Sequence, residues 1–185
     1  MFQYSAIDLQ TLQSIFDNDI LPYSFNYTLE NGKTIELKFQ QSQLSHLLGI
    51  QKIDYSRADL KGQLCYNGIK NGSITFTLLK SINRAAVRSE CKEKMRYFDE
   101  LPNMLRNPDC VSFDSSIVGR TTRIIMSFAL YGNDGRSEKR LILGIDSEND
   151  EQFFPRTWLI EQIDGTSLLD GQRAEKVCKV DVLPR

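Results

Sequence analysis

"SFNYTLENGKTIELKF", residues 24–39, decides how this chain begins to fold. Phe25, Tyr27 and Leu29 alternate with polar residues, and Ile35, Leu37 and Phe39 do the same. Period-two alternation on both sides of Asn31-Gly32 is the mark of a β-hairpin. Two registers compete. A two-residue loop of Asn31-Gly32 pairs Tyr27 with Glu36 and sends the two apolar rows to opposite faces. A three-residue loop, Glu30-Asn31-Gly32, pairs Tyr27 with Ile35 and Phe25 with Leu37, and one face is then apolar throughout. A one-residue slip turns every side chain over, so burial selects the second register. Gly32 becomes the left-handed residue that closes a type I turn with a bulge.

Upstream, "DLQTLQSIFDN" (8–18) carries apolar residues at 9, 12, 15 and 16, a helical spacing with Asp8 as N-cap and Pro22 beyond its end. Downstream, "QQSQLSHLLGI" (40–50) reads as a short helix with Ser42 as N-cap and Gly49 as a left-handed C-cap. "SRADLKGQLCYNG" (56–68) is another helix, a helical stretch starts at Gly72-Ser73, and a longer helix runs through 84–99. Pro102 sets "LPNML" apart as a separate turn. The second half changes character. "RIIMSFALY" (123–131), "RLILGID" (140–146), "FFPRTWLIE" (153–161) and "EKVCKVDVL" (175–183) read as strands. No helix-length segment divides the first three, which makes them antiparallel neighbours. The expected fold is α+β in a single domain, 1–185. It has an N-terminal helix and β-hairpin, a helical middle, and a C-terminal four-stranded, mainly antiparallel sheet.

The 185 residues are 41% hydrophobic and 25% charged, enough for one proper core in an ordinary globular domain. The net charge of −1 excludes a protein that coats nucleic acid through its overall charge, and leaves room for a local basic cleft. No apolar run approaches the roughly 20 residues that cross a bilayer. The opening "MFQYSAIDLQ" has neither the basic n-region nor the apolar h-region of a signal peptide. The expectation is a cytoplasmic protein with no membrane partner. Cys65, Cys91, Cys110 and Cys178 are irregularly spaced without a CxxC pair, and there is one histidine, so no zinc site is expected. They read as reduced, buried thiols. A phosphate-binding loop, a dinucleotide fingerprint and a GxSxG elbow are all missing, and "DSENDE" lacks the full calcium-loop pattern. No metal and no cofactor is expected.

Three places carry chemistry. His46 lies in the last turn of a helix that Leu44, Leu47 and Leu48 anchor. The negative end of that helix favours imidazolium, a form that can act as a general acid near neutral pH. A lone histidine of this kind is more often a hydrogen-bonded surface residue. The second place is "KSINRAAVRSECKEKMR" (80–96), with six cations against Glu90 and Glu93. Arg84, Arg88, Lys92 and Arg96 recur every four residues along one side of a helix. Charge runs are usually solvated faces. Like charges four apart repel, however, and a phosphate partner would relieve them. The third is "FFPRTWLI" (153–160). Here Arg156 is suited to hold a phosphate and Thr157 to position it, while Trp158 reads as core. Strict alternation puts Arg156 and Thr157 on opposite faces, so both reach one site only if the strand is bulged or just beginning there.

The hairpin ending in "IELKF", then "LSHLLGI" with Lys52, a helical middle ending "KMRYFDELPNML", and late strands with "RLILGI" and "FFPRTW" resemble a known family. The chain is similar, over about residues 20–183, to the fourth phage-borne group of the barnase–EndoU–colicin–RelE-like nucleases. The order of "HLLGI" and "FPRT" is the specific part of the likeness. The resemblance implies helices packed on a four-stranded antiparallel sheet and a metal-independent RNase, toxin-like, with RNA and a cognate inhibitor protein as candidate partners. It implies His46 as the catalytic residue, Thr157 as its strand partner, and Arg156, Arg96 and Lys52 as phosphate-binding groups. The chemistry implied is attack of an RNA 2′-hydroxyl on the adjacent phosphate, giving a 2′,3′-cyclic phosphate. A second histidine for an acid–base pair is missing. The competing expectation is a catalytically inactive module of the same fold that binds a protein or nucleic acid as an anti-defence or regulatory factor.

Overall fold

The computed structural model describes residues 7–118, 124–134, 138–148 and 152–185. The described chain clusters into two compact units. One is made of residues up to Pro22 with Phe39–Glu100, and the other of Tyr23–Lys38 with Leu101–Arg185.

The first unit is helical. Asp8 caps α1 (Leu9–Ile15) by accepting hydrogen bonds from the Gln10 and Thr11 backbone N–H groups, and a π-helical turn, Phe16–Ile20, continues it. The 40–50 segment is a tight turn, Gln41–Gln43, followed by α2 (Leu44–Leu47). The cap is Gln40 and not Ser42: Gln40 and Gln43 exchange side chain and backbone bonds in a reciprocal box. The 56–68 helix is shorter than expected at its start. Ala58–Leu60 is a separate tight turn, and α3 spans Gly62–Lys70. Thr75 caps α4 (Phe76–Ala86) through its hydroxyl and the Leu78 N–H, 3.1 Å. Within α4 the chain restarts near 84, as the sequence suggests. Asn83 leaves helical dihedrals (φ −154°, ψ 92°), and its side-chain oxygen accepts from the Ala86 N–H at 3.0 Å. The helix then widens into a π-helical turn, Val87–Cys91, before α5 (Lys92–Arg96). Val87, Cys91 and Met95 are the buried seam of this stretch.

The second unit holds one eight-stranded sheet together with α6 (Leu101–Arg106). The hairpin strands are β1 (Tyr23–Leu29) and β2 (Thr34–Lys38), and their register is the three-residue-loop one: Tyr27 faces Ile35 and Phe25 faces Leu37. Gly32 has φ +85°. The other strands are β3 (Asp109–Ser112), β4 (Phe128–Asp134), β5 (Lys139–Ser147), β6 (Gln152–Gln162), β7 (Arg173–Ala174) and β8 (Val177–Pro184). Their order is β7-β3-β4-β5-β6-β2-β1-β8.

The four late strands expected from the sequence exist, but they do not form a sheet of their own. β4, β5 and β6 are antiparallel neighbours, while β8 pairs with β1 on the far side of the hairpin. The hairpin closes the gap through a short parallel pairing of β2 with β6, Glu36 opposite Gln152 and Leu37 opposite Phe153. Tyr27, Phe25, Leu37, Phe153 and Trp158 are fully buried, and the Tyr27 hydroxyl donates to the Leu105 carbonyl of α6 at 2.9 Å. A smaller cluster of Val111, Met126, Ala129, Ile142, Leu168 and Leu169 covers the opposite face of β4 and β5. All four cysteines are free, but Cys178 is exposed on edge strand β8, where the sequence reading buries it.

Candidate active site

His46 sits in the last turn of α2, half-buried, with buried leucines on either side at 44, 47 and 48. Gly49 ends the helix in the left-handed region (φ +78°), donating its N–H to the His46 carbonyl at 3.0 Å. That position is fixed twice over. A Cβ on Gly49 would overlap the backbone carbonyl of Glu90 in the π-helical turn and lie 3.5 Å from Cδ of Lys94. Two residues on, Lys52 Nζ pairs with Glu90 Oε2 at 3.0 Å. The segment 46–52 is therefore clamped to the segment 90–94 by a backbone contact and an ion pair.

The His46 ring is held by Gln51, whose side-chain nitrogen meets Nδ1 in a short hydrogen bond. With the amide in this orientation the nitrogen donates and the imidazole proton belongs on Nε2. A half-turn of the amide presents its oxygen, holds the proton on Nδ1, and makes Nε2 the acceptor. In the orientation present, nitrogen on Nδ1, Gln51 selects the Nε2–H tautomer.

The cationic stretch divides. Arg84 and Arg88 are exposed, while Lys92 and Arg96 are half-buried. Arg96 reaches Glu93 one turn back at 3.4 Å and lies over the Tyr97 ring, 5.8 Å from its centre. Lys94 is the most perturbed cation. Burial, then the charge of Lys52, pulls it down to about 8 against the opposing influence of Cys91 and Glu90.

In the second unit, β6 is bulged at Arg156. Gly144 faces Thr157 and Ile145 faces Pro155, which leaves Arg156 as the extra residue. Burial follows the shift: Phe153 and Pro155 are buried, and then Trp158. A bulge of this kind puts two successive side chains on one face. The condition set by strict alternation is thus met, and Arg156 and Thr157 share a face with Asp146. Arg156 Nε lies 3.7 Å from Asp146 Oδ2, and its guanidinium covers the Phe154 ring at 5.7 Å. Asp146 is itself anchored by the Ser127 hydroxyl at 2.6 Å. Gly144 leaves room for Thr157, whose methyl would be 2.8 Å from a Cβ there.

Several of these partners carry no sequence signal. Gln51 and Asp146 are ordinary polar residues until the turn and the strand pairing place them. Lys94 was legible only as one cation among six. Among the described residues no group of three or more His, Cys, Asp or Glu side chains is placed to hold a metal ion, and no helix is long and apolar enough to cross a membrane.

By class this is a mixed α+β protein, with an oriented histidine in its helical unit and an arginine beside a carboxylate on a bulged strand of its sheet unit. The family is specific: the chain belongs to the phage-Barnase-EndoU-ColicinE5/D-RelE like nucleases, group 4, whose model matches residues 8–178. No curated protein matches the chain, and no solved structure does.

Proposed function

We propose that this chain is a metal-independent endoribonuclease of phage or mobile-element origin, cleaving RNA by transesterification to a 2′,3′-cyclic phosphate. The observation that carries the reading is His46, a ring oriented by Gln51 at a helix end clamped to a cationic segment, in a chain whose family is nuclease-like. The reaction needs a proton taken from the 2′-hydroxyl, a proton given to the 5′-oxygen, and positive charge at the phosphorane. His46 carries one proton transfer. Lys52 and Arg96 supply charge from the helical unit, and Arg84, Arg88 and Lys92 guide the RNA backbone. Within the sheet unit, Arg156 beside Asp146, together with Thr157, is a further candidate phosphate-binding pair. The family match spans segments of both units, which supports treating 1–185 as one functional domain.

The test is cleavage of a mixed RNA in EDTA. Wild type is expected to leave 2′,3′-cyclic ends, and His46→Ala to lose about 100-fold or more, the usual worth of a general acid or base. Arg156→Gln should raise KM and lower kcat. A lone histidine also favours a second reading, an inactive module that binds a protein or nucleic acid as an anti-defence or regulatory factor. RNA binding without cleavage by wild type would select it.

A further inference from the structure

The eight-stranded sheet ends in two unlike edges. β7 is two residues long, too short to template another strand. β8 runs for eight residues, and among the described residues its only strand partner is β1. That pairing sorts its side chains. Val182 stands opposite Phe25, Val180 opposite Tyr27 and Val177 opposite Leu29, so the three valines continue the buried row of β1. Each valine is only half-buried, whereas Phe25, Tyr27 and Leu29 are closed off from solvent. The apolar face of the sheet thus runs to this edge without being fully covered there. On the other face Lys179, Asp181 and Leu183 stand opposite Thr28, Asn26 and Ser24, and Leu183 is 49% exposed.

Edge strands are usually guarded by a charge, most often a lysine. Here the guard is Lys179, and it pairs with Asp181 two residues on, Nζ to Oδ2 at 2.7 Å. That spacing makes the edge complementary to itself. Antiparallel copies centred on Val180 set Lys179 against the partner's Asp181, Asp181 against the partner's Lys179, and valine against valine. Moving the centre one residue either way sets Lys179 against Lys179 or Asp181 against Asp181. The intermediate slips set charge against valine. Opposite charges facing across a strand pair stabilise it and like charges destabilise it, so charge selects a single register.

We propose that β8 pairs with β8 of a second copy of this chain, antiparallel and centred on Val180, joining two sheets across a two-fold axis. Such an interface is isologous: the same patch serves both copies. The outward backbone N–H and C=O groups of β8 find partners in the second copy, and the half-buried valines cover one another. This pairing is independent of any nuclease activity. One strand makes a narrow interface, so the dimer is weak and reversible, with a Kd on the order of 10 μM.

Two arms test the proposal on the chain 1–185. In the first, light scattering and sedimentation follow mass against concentration. Wild type should pass from one chain to two. Asp181→Lys sets like charges opposite each other and should raise Kd about 10-fold or more, while the double variant Lys179→Asp, Asp181→Lys restores opposite charges and should restore the dimer. Both positions lie on the outer face of the edge, and a thermal melt checks that each variant is folded. In the second arm, Cys178→Ser removes the exposed native thiol. Val180→Cys in that background should cross-link under mild oxidation, since residues directly opposite lie within disulfide reach. Leu183→Cys should not, because in this register it lies roughly 20 Å from its copy. Wild type that stays a single chain up to about 0.5 mM, far above that Kd, overturns the proposal. So does a dimer indifferent to Asp181→Lys, a double variant that fails to restore it, or cross-linking at 183 without cross-linking at 180.

Discussion

The hairpin turn at Gly32 and the helix end at Gly49 are the same device in two settings. Each glycine takes the left-handed conformation, φ +85° and +78°. Around Gly32 a Cβ would meet nothing within 4 Å, whereas at Gly49 it would run into the backbone of Glu90. Sequence reports the dihedral in both cases, because Asn-Gly between alternating strands and Gly after a leucine-anchored helix are local signals. It does not report the neighbour. The difference separates a glycine needed for its own conformation from one needed by a clamp elsewhere in the fold.

The largest expected effect breaks the clamp. Gly49→Ala adds a methyl where a left-handed backbone already disfavours it and where a rigid carbonyl blocks it, so about 3 kcal/mol of stability should go. Urea unfolding of the variant measures it. Gly49→Asn should fare no better, although asparagine tolerates the left-handed region, because the clash remains. A Gly49→Asn variant as stable as wild type would show that the backbone contact is unimportant.

How much of the fold was legible follows the same division. The hairpin register, the α1 cap and the β4-β5-β6 order rest on neighbours in sequence, and all were readable. The β2–β6 pairing joins residues more than a hundred positions apart through two residue pairs, Glu36 with Gln152 and Leu37 with Phe153, and no periodicity announces it. Without it the late strands looked like a separate sheet. β3 and β7, four and two residues long, are too short to show alternation. Among candidate site residues the sequence pointed to His46 in one unit and to Arg156 and Thr157 in the other, and even to the need for a bulge. It could not supply Gln51, Glu90, Lys94 or Asp146 as partners, since each acts through a contact made only in the folded chain.

The second prediction asks where the hairpin's own stability lies. The space beside Gly32 is open, and what ties the turn down is Glu30 and Asn31 bonding to Lys176 and Glu175, so the strands carry most of it. Tyr27 is fully buried, and its hydroxyl reaches the Leu105 carbonyl at 2.9 Å. Burial there holds the phenol in its neutral form, with its pKa well above the usual tyrosine range, as a donor through all working pH. Tyr27→Phe keeps the ring and strands the carbonyl, which should cost about 1–2 kcal/mol in urea unfolding. The loss should be the same at pH 6 and pH 9, because no ionisation is involved.

The smallest effect belongs to Gly32, and it sharpens the comparison most. Gly32→Ala meets no neighbour, so its cost is the left-handed conformation alone, about 1 kcal/mol. Gly32→Asn should recover most of that, since asparagine visits this region readily. Rescue by asparagine at 32 and failure of rescue at 49 is the pattern that two different origins for one dihedral require. The measurement is a paired set of urea midpoints for Ala and Asn at both positions, with equal m-values confirming a common unfolding reaction. If Gly32→Ala cost as much as Gly49→Ala, Gly32 itself would have to be packed against something, and the open space beside it would be wrong.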